Sequence, residues 1–209
     1  MADLTNLVLT TKLDAVNIML FTIGEQPVSS LDESGLTDVA IAKAVLAEVN
    51  RDVQSEGWKY NTDYNYALAQ DTSGRVAIPT NALSIEPAAS SQYVERSGYM
   101  WDTLNHTNVI NTALYCDIIR YLDYEAIPEA ARYYIAVRAA RIYQKRMLGD
   151  DSIEVFTEKQ ESTARARMEG NLADAANANF LNDPGIAQMT GGGRATGWGS
   201  SGLGNPRVI

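Results

Sequence analysis

The spacing of apolar residues changes twice along this chain, and that change limits how it can fold. Near both ends apolar residues recur three or four positions apart, as they do on one face of a helix. Between about residues 58 and 127 they alternate instead, as in Tyr64, Tyr66 and Leu68, which is the spacing of a strand. We therefore predict an α+β fold, in which an antiparallel helix bundle carries an inserted small antiparallel β domain and an extended C-terminal tail.

Glycines place the boundaries of these elements. Gly24, Gly57 and Gly149 follow the apolar stripes where a left-handed helix C-cap is expected. The predicted helices cover about residues 3–23, 37–56, 129–148 and 151–179. The predicted domains are a helical bundle domain of residues 1–57 and 128–181, a β domain of residues 58–127, and a glycine-rich C-terminal arm of residues 182–209.

Turn residues separate short strand-like segments within the β domain. The sequence DTSG at 71–74 has turn chemistry, and Ser97-Gly98 is a candidate hairpin tip. We expect the last strand to be the strongest. The predicted strands cover residues 64–68, 75–78, 83–86, 91–96, 99–102 and 113–120.

Composition excludes several kinds of site. With 17 basic and 26 acidic residues the formal net charge is −9, which argues against sequence-independent DNA binding, because that needs a positive surface. The single cysteine, Cys116, cannot form an intrachain disulfide, and the single histidine, His106, excludes a histidine-rich zinc site. We expect Cys116 to be a buried, inert thiol and His106 to lie at the surface. We expect the protein to bind no cofactor and no metal. No apolar run approaches the ~18 residues of a membrane span, so we expect no membrane partner.

The segment 128–149 is basic within an acidic protein, with five basic side chains and one acid. Arg138, Arg141 and Lys145 form a stripe between two apolar faces of the predicted helix, and a helix that is apolar on two sides is usually covered on both. These basic residues either pair with the chain's own acids, in the bundle or across a subunit interface, or form a DNA-facing stripe. One apolar face contains Tyr133, Val137, Ala140 and Met147, and the other contains Ile135, Ala139 and Ile142.

The C-terminal arm differs in composition from the rest of the chain, since eight of its 28 residues are glycine. Such a segment buries too little apolar surface to offset its chain entropy. We therefore expect a neighbouring subunit or a partner protein to order it. Trp198 is a large apolar anchor of the kind that fills a pocket on a partner.

Asp123 and Glu125, set among tyrosines, allow an enzymatic alternative. A pair of carboxyl groups can hydrolyse a glycan, one acting as acid and the other as base or nucleophile. The same residue types commonly cap and pack strand-to-helix junctions, and the distance between the two carboxyl groups cannot be obtained from the sequence. A glycan-hydrolysing enzyme and a nucleic-acid-binding module are the two alternatives to a structural role.

Four groups of residues occur in an order and spacing that extends from about residue 13 to residue 148. They are AVN at 15–17 leading to IGEQPVS at 23–29, NRDVQSEGW at 50–58, YVERSGY at 93–99, and YLDYEAIPE at 121–129 running into Arg132 and Tyr133. In these residues the chain resembles the tail tubular protein A family, the adaptors of T7-like short-tailed bacteriophages. The C-terminal arm departs from the family pattern.

The resemblance implies a structural virion protein rather than an enzyme. The family forms a dodecameric ring between the portal protein and the nozzle made by tail tubular protein B, at the level where tail fibres attach. The ring continues the DNA channel and helps retain the genome until ejection, and DNA passes through it without specific binding. The implied location is the phage tail, after synthesis in the cytoplasm of the bacterial host.

Candidate contact residues come from the bundle, the arm and the β domain. For contacts within the ring and the bundle we select Tyr133, Tyr134, Arg138, Arg141 and Lys145. For the portal protein we select Gly191, Arg194, Trp198 and Arg207 of the C-terminal arm. For the nozzle or a fibre we select Arg96, Tyr99 and Trp101.

Overall fold

A computed structural model describes residues 10–32, 37–88, 92–149 and 151–180, the side chains of 151–157 and 174–180 excepted. Its helices are α1 (Lys12–Thr22), α2 (Thr37–Ser55), α3 (Glu129–Leu148) and α4 (Asp151–Phe180), and a 3₁₀ turn at Tyr124–Ala126 leads into α3. Its strands are β1 (Thr62–Leu68), β2 (Ala82–Pro87), β3 (Tyr93–Arg96), β4 (Tyr99–Asp102) and β5 (Leu114–Arg120). The predicted α+β class is confirmed. The chain divides into two compact units, Met1–Glu169 and Gly170–Ile209.

The start of α1 differs from the prediction, because Thr11 caps the helix with an extended backbone (φ −83°, ψ 167°). The Thr11 hydroxyl accepts the backbone N–H of Asp14 at 3.1 Å, and the Asp14 carboxylate accepts the N–H of Thr11 at 3.0 Å. This reciprocal pair is a capping box. The N–H of Thr10 donates to the carboxylate of Glu129 at 2.9 Å, which ties the entry to α1 to the start of α3. Residues 3–9 of the predicted helix lie outside the described residues.

The helical core lies where α1, α2 and α3 pack against one another. The three- and four-residue spacing turns alanines and aliphatic residues inward on each helix, and burying each large apolar side chain contributes ~1.5–3 kcal/mol. The largest buried side chains include Tyr134 and Tyr143 of α3 and Tyr124 just before it. Among its described side chains, α4 adds the buried Ala164 and Met168. Other core residues are Ala15, Val16, Met19, Leu20, Val39, Ala42, Val45, Leu46, Val49, Val53, Ala131, Ile135, Ala136 and Ala139.

The strands form two antiparallel sheets, one in the order β1-β5-β2 and one made of the hairpin β3-β4. Alternate residues of β5 face a second core, while the intervening residues face away from it. The predicted strands at 64–68, 83–86, 91–96, 99–102 and 113–120 are confirmed within a few residues of their ends. This core contains Leu68, Val76, Met100, Ile110, Leu114, Cys116 and Ile118.

The predicted strand at 75–78 is wrong. Arg75, Val76 and Ala77 make isolated bridges to three different segments, so no continuous ladder forms. The preceding turn causes this, because the Asp71 carboxylate accepts the backbone N–H of Ser73 at 2.8 Å and that of Arg75 at 2.9 Å. Val76 of this segment is nevertheless buried in the core that both sheets share.

The β3–β4 hairpin turns at Ser97-Gly98, as predicted. Both residues have positive φ angles, 54° and 78°, which is the backbone of a two-residue hairpin turn. Beyond β4, the carboxylate of Asp102 holds the next loop, since it accepts the N–H groups of Leu104 at 2.9 Å and Asn105 at 3.0 Å. The side-chain amide of Gln92 donates to the same carboxylate at 2.9 Å.

The hydrogen bonds to the Asp102 carboxylate allow us to predict how low pH changes the stability of the fold. The backbone N–H of Asn105 and its neighbours lower the pKa of Asp102 to about 2, below the ~3.9 expected in the unfolded chain. The carboxylate therefore stabilises the fold above about pH 4, and this contribution is lost as the pH falls from about 4 toward 2. We expect Asp102→Asn to destabilise the protein at pH 6, with the difference from wild type shrinking toward pH 2.5. Urea unfolding at several pH values measures this, and a difference that does not change with pH would contradict it.

Buried side-chain amides join the end of α2 to the segment that enters β1 and to the segment that leaves β5. Gln54, which is fully buried, donates through Nε2 to Asn50 Oδ1 at 2.9 Å and to the carbonyl of Leu122 at 2.8 Å. Its Oε1 accepts the N–H of Leu122 at 2.8 Å. Asn61 donates to the carbonyls of Gln54 at 2.8 Å and Arg120 at 2.9 Å. The chain entering β1 and the chain leaving β5 are thus held at the same place.

Candidate assembly interface

Ion pairs join α3 to the helices on either side of it. Arg138 contacts Asp52 at 2.5 Å, Glu56 at 3.6 Å and Glu161 at 3.8 Å, so one guanidinium meets acids of both α2 and α4. Arg141 donates to the same Glu161, which is the acid that links the two arginines. Acids that lie far apart in the sequence therefore converge on the basic stripe of α3.

The buried hydroxyl of Tyr134 lies at the centre of this network. It accepts from Arg138 at 3.2 Å and from Arg165 of α4 at 3.4 Å. Arg165 also pairs with Glu56 and with Glu169, each at 2.8 Å. Burial opposes the charge of Arg138, but the Tyr134 hydroxyl and the nearby carboxylates outweigh it and raise the pKa of Arg138. Hydrogen bonds to Glu169 and Tyr134 likewise raise the pKa of Arg165. Both guanidiniums stay charged.

The interpretation that these basic residues pair with the chain's own acids is confirmed for Arg138 and Arg141. It also holds for Arg146, which pairs with Glu48 of α2 through two contacts of 2.7 and 2.8 Å. Lys145 is exposed on the same helix. Because the two central arginines are already matched by carboxylates, the geometry opposes a DNA-facing stripe.

The two predicted apolar faces of α3 are covered unequally. Ile135 and Ala139 are fully buried, whereas 43% of Tyr133 and 36% of Met147 remain exposed. Tyr133 lies in a groove of about 610 Å³, which we call the α3–α4 groove. It is bounded by Ile18 of α1, Tyr133 and Val137 of α3, and Lys159, Thr163 and Arg167 of α4. One apolar face thus belongs to the core, while the other is buried at Ala140 and open at Tyr133 and Met147.

The structure brings together the candidate residues of the β3–β4 hairpin. The guanidinium of Arg96 lies 4.5 Å from the ring centroid of Trp101, and that of Arg75 lies 4.6 Å from the ring of Tyr99. Tyr99 and Trp101 are two residues apart on one strand, so both rings are on the same face. Each ring is half-buried and has a guanidinium group over its face. Such a cation–π contact contributes ~0.5–1 kcal/mol at exposed sites.

A further surface was not found from the sequence. On the side of the β1-β5-β2 sheet away from the core, Tyr64 is 67% exposed and Tyr115 is 52% exposed. Glu86 of β2 lies directly opposite Asp117 of β5. We call these four residues the outer sheet face. Strand alternation indicates that Tyr115 and Asp117 share a side, but the order of the strands, which brings Glu86 next to Asp117, could not be predicted.

The remaining candidates lie at the 3₁₀ turn before α3 or outside the described residues. Gly191, Arg194, Trp198 and Arg207 of the C-terminal arm lie outside the described residues. Asp123 and Glu125 flank Tyr124 at the 3₁₀ turn, and both are exposed.

The single thiol and the single imidazole are placed as predicted. Cys116 is fully buried, and burial together with the adjacent Asp117 raises the pKa of its thiol, which favours the inert neutral form. His106 is exposed at a turn. Across the described ranges, no three histidine, cysteine or acidic side chains lie close enough to hold a metal ion. No helix in that part of the chain is long and apolar enough to cross a membrane.

Comparison with known proteins decides which family the chain belongs to. The model of a family described as tail tubular protein matches residues 13–178, well over half of the chain. The chain belongs to the tail tubular protein family. A curated relative, tail tubular protein A of Klebsiella phage KP34, is 26% identical over 152 residues, which cover 72% of this chain and 81% of that protein. The resemblance inferred from the four groups of residues is confirmed.

Membership of the tail tubular protein family shows what class of protein this is and where it is located. It is a structural protein of a bacteriophage and a component of the phage tail in the virion. The matched region contains every element from α1 to nearly the end of α4, and so both the α3–α4 groove and the outer sheet face.

Proposed function

We propose that this tail tubular protein is the head-to-tail adaptor of a short-tailed phage, acting as a structural part without catalysis. In this role it forms a dodecameric ring that joins the portal protein to the nozzle made by tail tubular protein B, continues the DNA channel and provides the level at which tail fibres attach. The match of the family model over residues 13–178 carries the proposal. The open apolar groove supports it, since a ring needs two different contact surfaces on each subunit.

Each part of the chain has a proposed share of this role. The helical parts, residues 1–57 and 128–181, contribute the α3–α4 groove to the contacts that build the ring. The β domain, residues 58–127, faces the nozzle and fibres through Arg96, Tyr99 and Trp101. The C-terminal arm reaches the portal protein. The cation–π pairs of the β3–β4 hairpin support the second assignment, because they hold aromatic rings at a half-exposed surface.

The charge of the chain suits a channel through which DNA slides. A formal charge of −9 repels the phosphate backbone, and carboxylates already neutralise the central arginines of α3. We therefore expect DNA to pass without specific binding, and the wall of the assembled channel to be net negative. A basic channel wall in the assembled ring would contradict this part of the proposal.

Mass measured by light scattering tests the adaptor role. We expect the purified chain to be recruited by the portal protein of the same phage into a ring with the mass of a dodecamer of 22.8 kDa subunits. A chain that never binds the portal protein would contradict the adaptor role, and glycan hydrolysis, with Asp123→Ala and Glu125→Ala as controls, would then be assayed.

Deleting residues 182–209 tests the role of the C-terminal arm. We expect the deletion to abolish portal binding while the circular dichroism of the helices is retained. Replacing the aromatic anchor alone, Trp198→Ala, should weaken binding by roughly 30-fold, the effect of losing one hot-spot side chain. Portal binding that survives the deletion unchanged would show that the arm is not the portal contact.

A further inference from the structure

The α3–α4 groove has an apolar floor and a cationic edge. Ile18, Tyr133 and Val137 form the apolar side, and Tyr133 remains 43% exposed. Lys159 and Arg167 border the groove from α4, and within the described residues neither cation meets a carboxylate. Three described arginines of α3 and α4, namely Arg138, Arg141 and Arg165, each pair with a carboxylate, so the two cations at the groove differ from them.

The outer sheet face has the opposite character. Glu86 and Asp117 are directly opposed on neighbouring antiparallel strands, and like charges in that position destabilise a sheet. The backbone N–H of Asn65 donates to the Asp117 carboxylate at 2.7 Å and relieves part of this repulsion. In the part of the chain that the structure describes, no lysine or arginine lines the cleft between the strands and the end of α2. Tyr64 and Tyr115 stand exposed beside these acids. The face therefore offers aromatic rings and two adjacent carboxylates that form no ion pair among the described residues.

The two surfaces are separate, since the groove and the cleft of the outer sheet face share no lining residue. Arg165 of α4 reaches Glu56, a residue that also borders the cleft of the outer sheet face. Thr163 and Arg167, at the groove, are each two positions from Arg165, and two positions on a helix correspond to a rotation of about 200°. One copy can therefore present one surface to one neighbour and the other surface to a second neighbour.

We propose that the outer sheet face of one copy of this chain docks in the α3–α4 groove of the next copy. Tyr64 and Tyr115 supply the aromatic surface for the apolar floor, and Glu86 and Asp117 meet Lys159 and Arg167. This contact rests on the proposed ring and specifies how its subunits join. The C-terminal arm fits the groove less well, because its two arginines and one acid give it the same sign of charge as the groove's edge.

Charge reversal on each surface, and on both together, tests the contact. The chain is assembled on the portal protein of the same phage, and the fraction in rings is measured by mass. We expect Lys159→Glu with Arg167→Glu, or Glu86→Lys alone, to lower the ring fraction about tenfold or more, because like charges then face each other. Combining all three changes in one chain should recover most of the loss. Lys12→Glu, at the start of α1, is the control for a change of net charge and should leave the ring intact.

A disulfide trap provides a second measurement that does not depend on charge. A chain with Thr163→Cys in the groove and Ser84→Cys in the cleft should form a ladder of linked subunits on oxidation, whereas either change alone should give none. The native Cys116 is fully buried and adds little background.

The outcomes separate this contact from the adaptor role itself. A wild-type ring that tolerates the single-surface reversals, or that gives no ladder, overturns the docking of these two surfaces and leaves the adaptor role standing. A wild-type chain that forms no ring on the portal protein overturns the adaptor role, and the contact with it.

Discussion

A chain with Gln54 replaced by leucine is expected to lose ~2–4 kcal/mol of its free energy of unfolding. Leucine fits the volume, but it cannot replace the bonds that the Gln54 amide makes to the N–H and carbonyl of Leu122, both at 2.8 Å. Each buried backbone group left without a partner costs ~1–3 kcal/mol. Urea denaturation followed by circular dichroism measures the loss.

Local effects distinguish this loss from a general weakening of the core. Amide exchange should accelerate first around Leu122 and Asn61, where the two connections to the β-strands meet the end of α2. Ser55→Ala, at the exposed neighbouring position, is the matched control and should change stability by less than ~0.5 kcal/mol. A Gln54→Leu chain as stable as this control would show that the amide network does not hold the junction.

Replacing Arg132 with methionine is expected to cost a similar ~2–4 kcal/mol. Arg132 is only 8% exposed, and its guanidinium donates to the carbonyl of Ile127 at 2.8 Å and to that of Glu125. The hydroxyl of Tyr124 donates back to the carbonyl of Arg132 at 2.9 Å. Methionine keeps the apolar stem but leaves two carbonyls without donors, and that desolvation cost gives the loss.

The lysine variant separates geometry from charge. Arg132→Lys keeps the positive charge but has no planar fork to reach both carbonyls, so we expect it to recover less than half of the loss. Arg51→Met, an exposed arginine 6.0 Å from the ring of Tyr121, is the control and should have little effect on the urea midpoint. Full stability in the lysine variant would show that only the charge matters at this position.

The boundaries of most elements could be predicted from the sequence because they depend on neighbouring residues. Gly149 ends α3 with a left-handed backbone (φ 64°), and Ser97-Gly98 turns the hairpin, both through conformations that glycine favours. The two errors have local causes as well. The capping box at Thr11 sets the start of α1, and the Asp71 turn diverts residues 75–78 away from any one strand.

Partners across the fold were beyond prediction. The spacing in α3 shows that Tyr133 and Ile135 lie on different faces, but not that the core covers Ile135 and leaves Tyr133 open. Likewise the basic stripe is evident in the sequence, whereas the acids that meet it, Asp52 and Glu161, lie 86 and 20 residues from the arginines they contact.

The sequence by itself determined the α+β class, the order of helices and strands, the excess of negative charge and the resemblance to a phage tail family. These depend on composition and on contacts between residues close in the chain. Only the tertiary structure decided the strand order β1-β5-β2, the pairing of the arginines and the positions of the groove and the outer sheet face. The physical reason is that periodicity fixes which residues share a face, while the packing of distant segments decides which face is buried and what it meets.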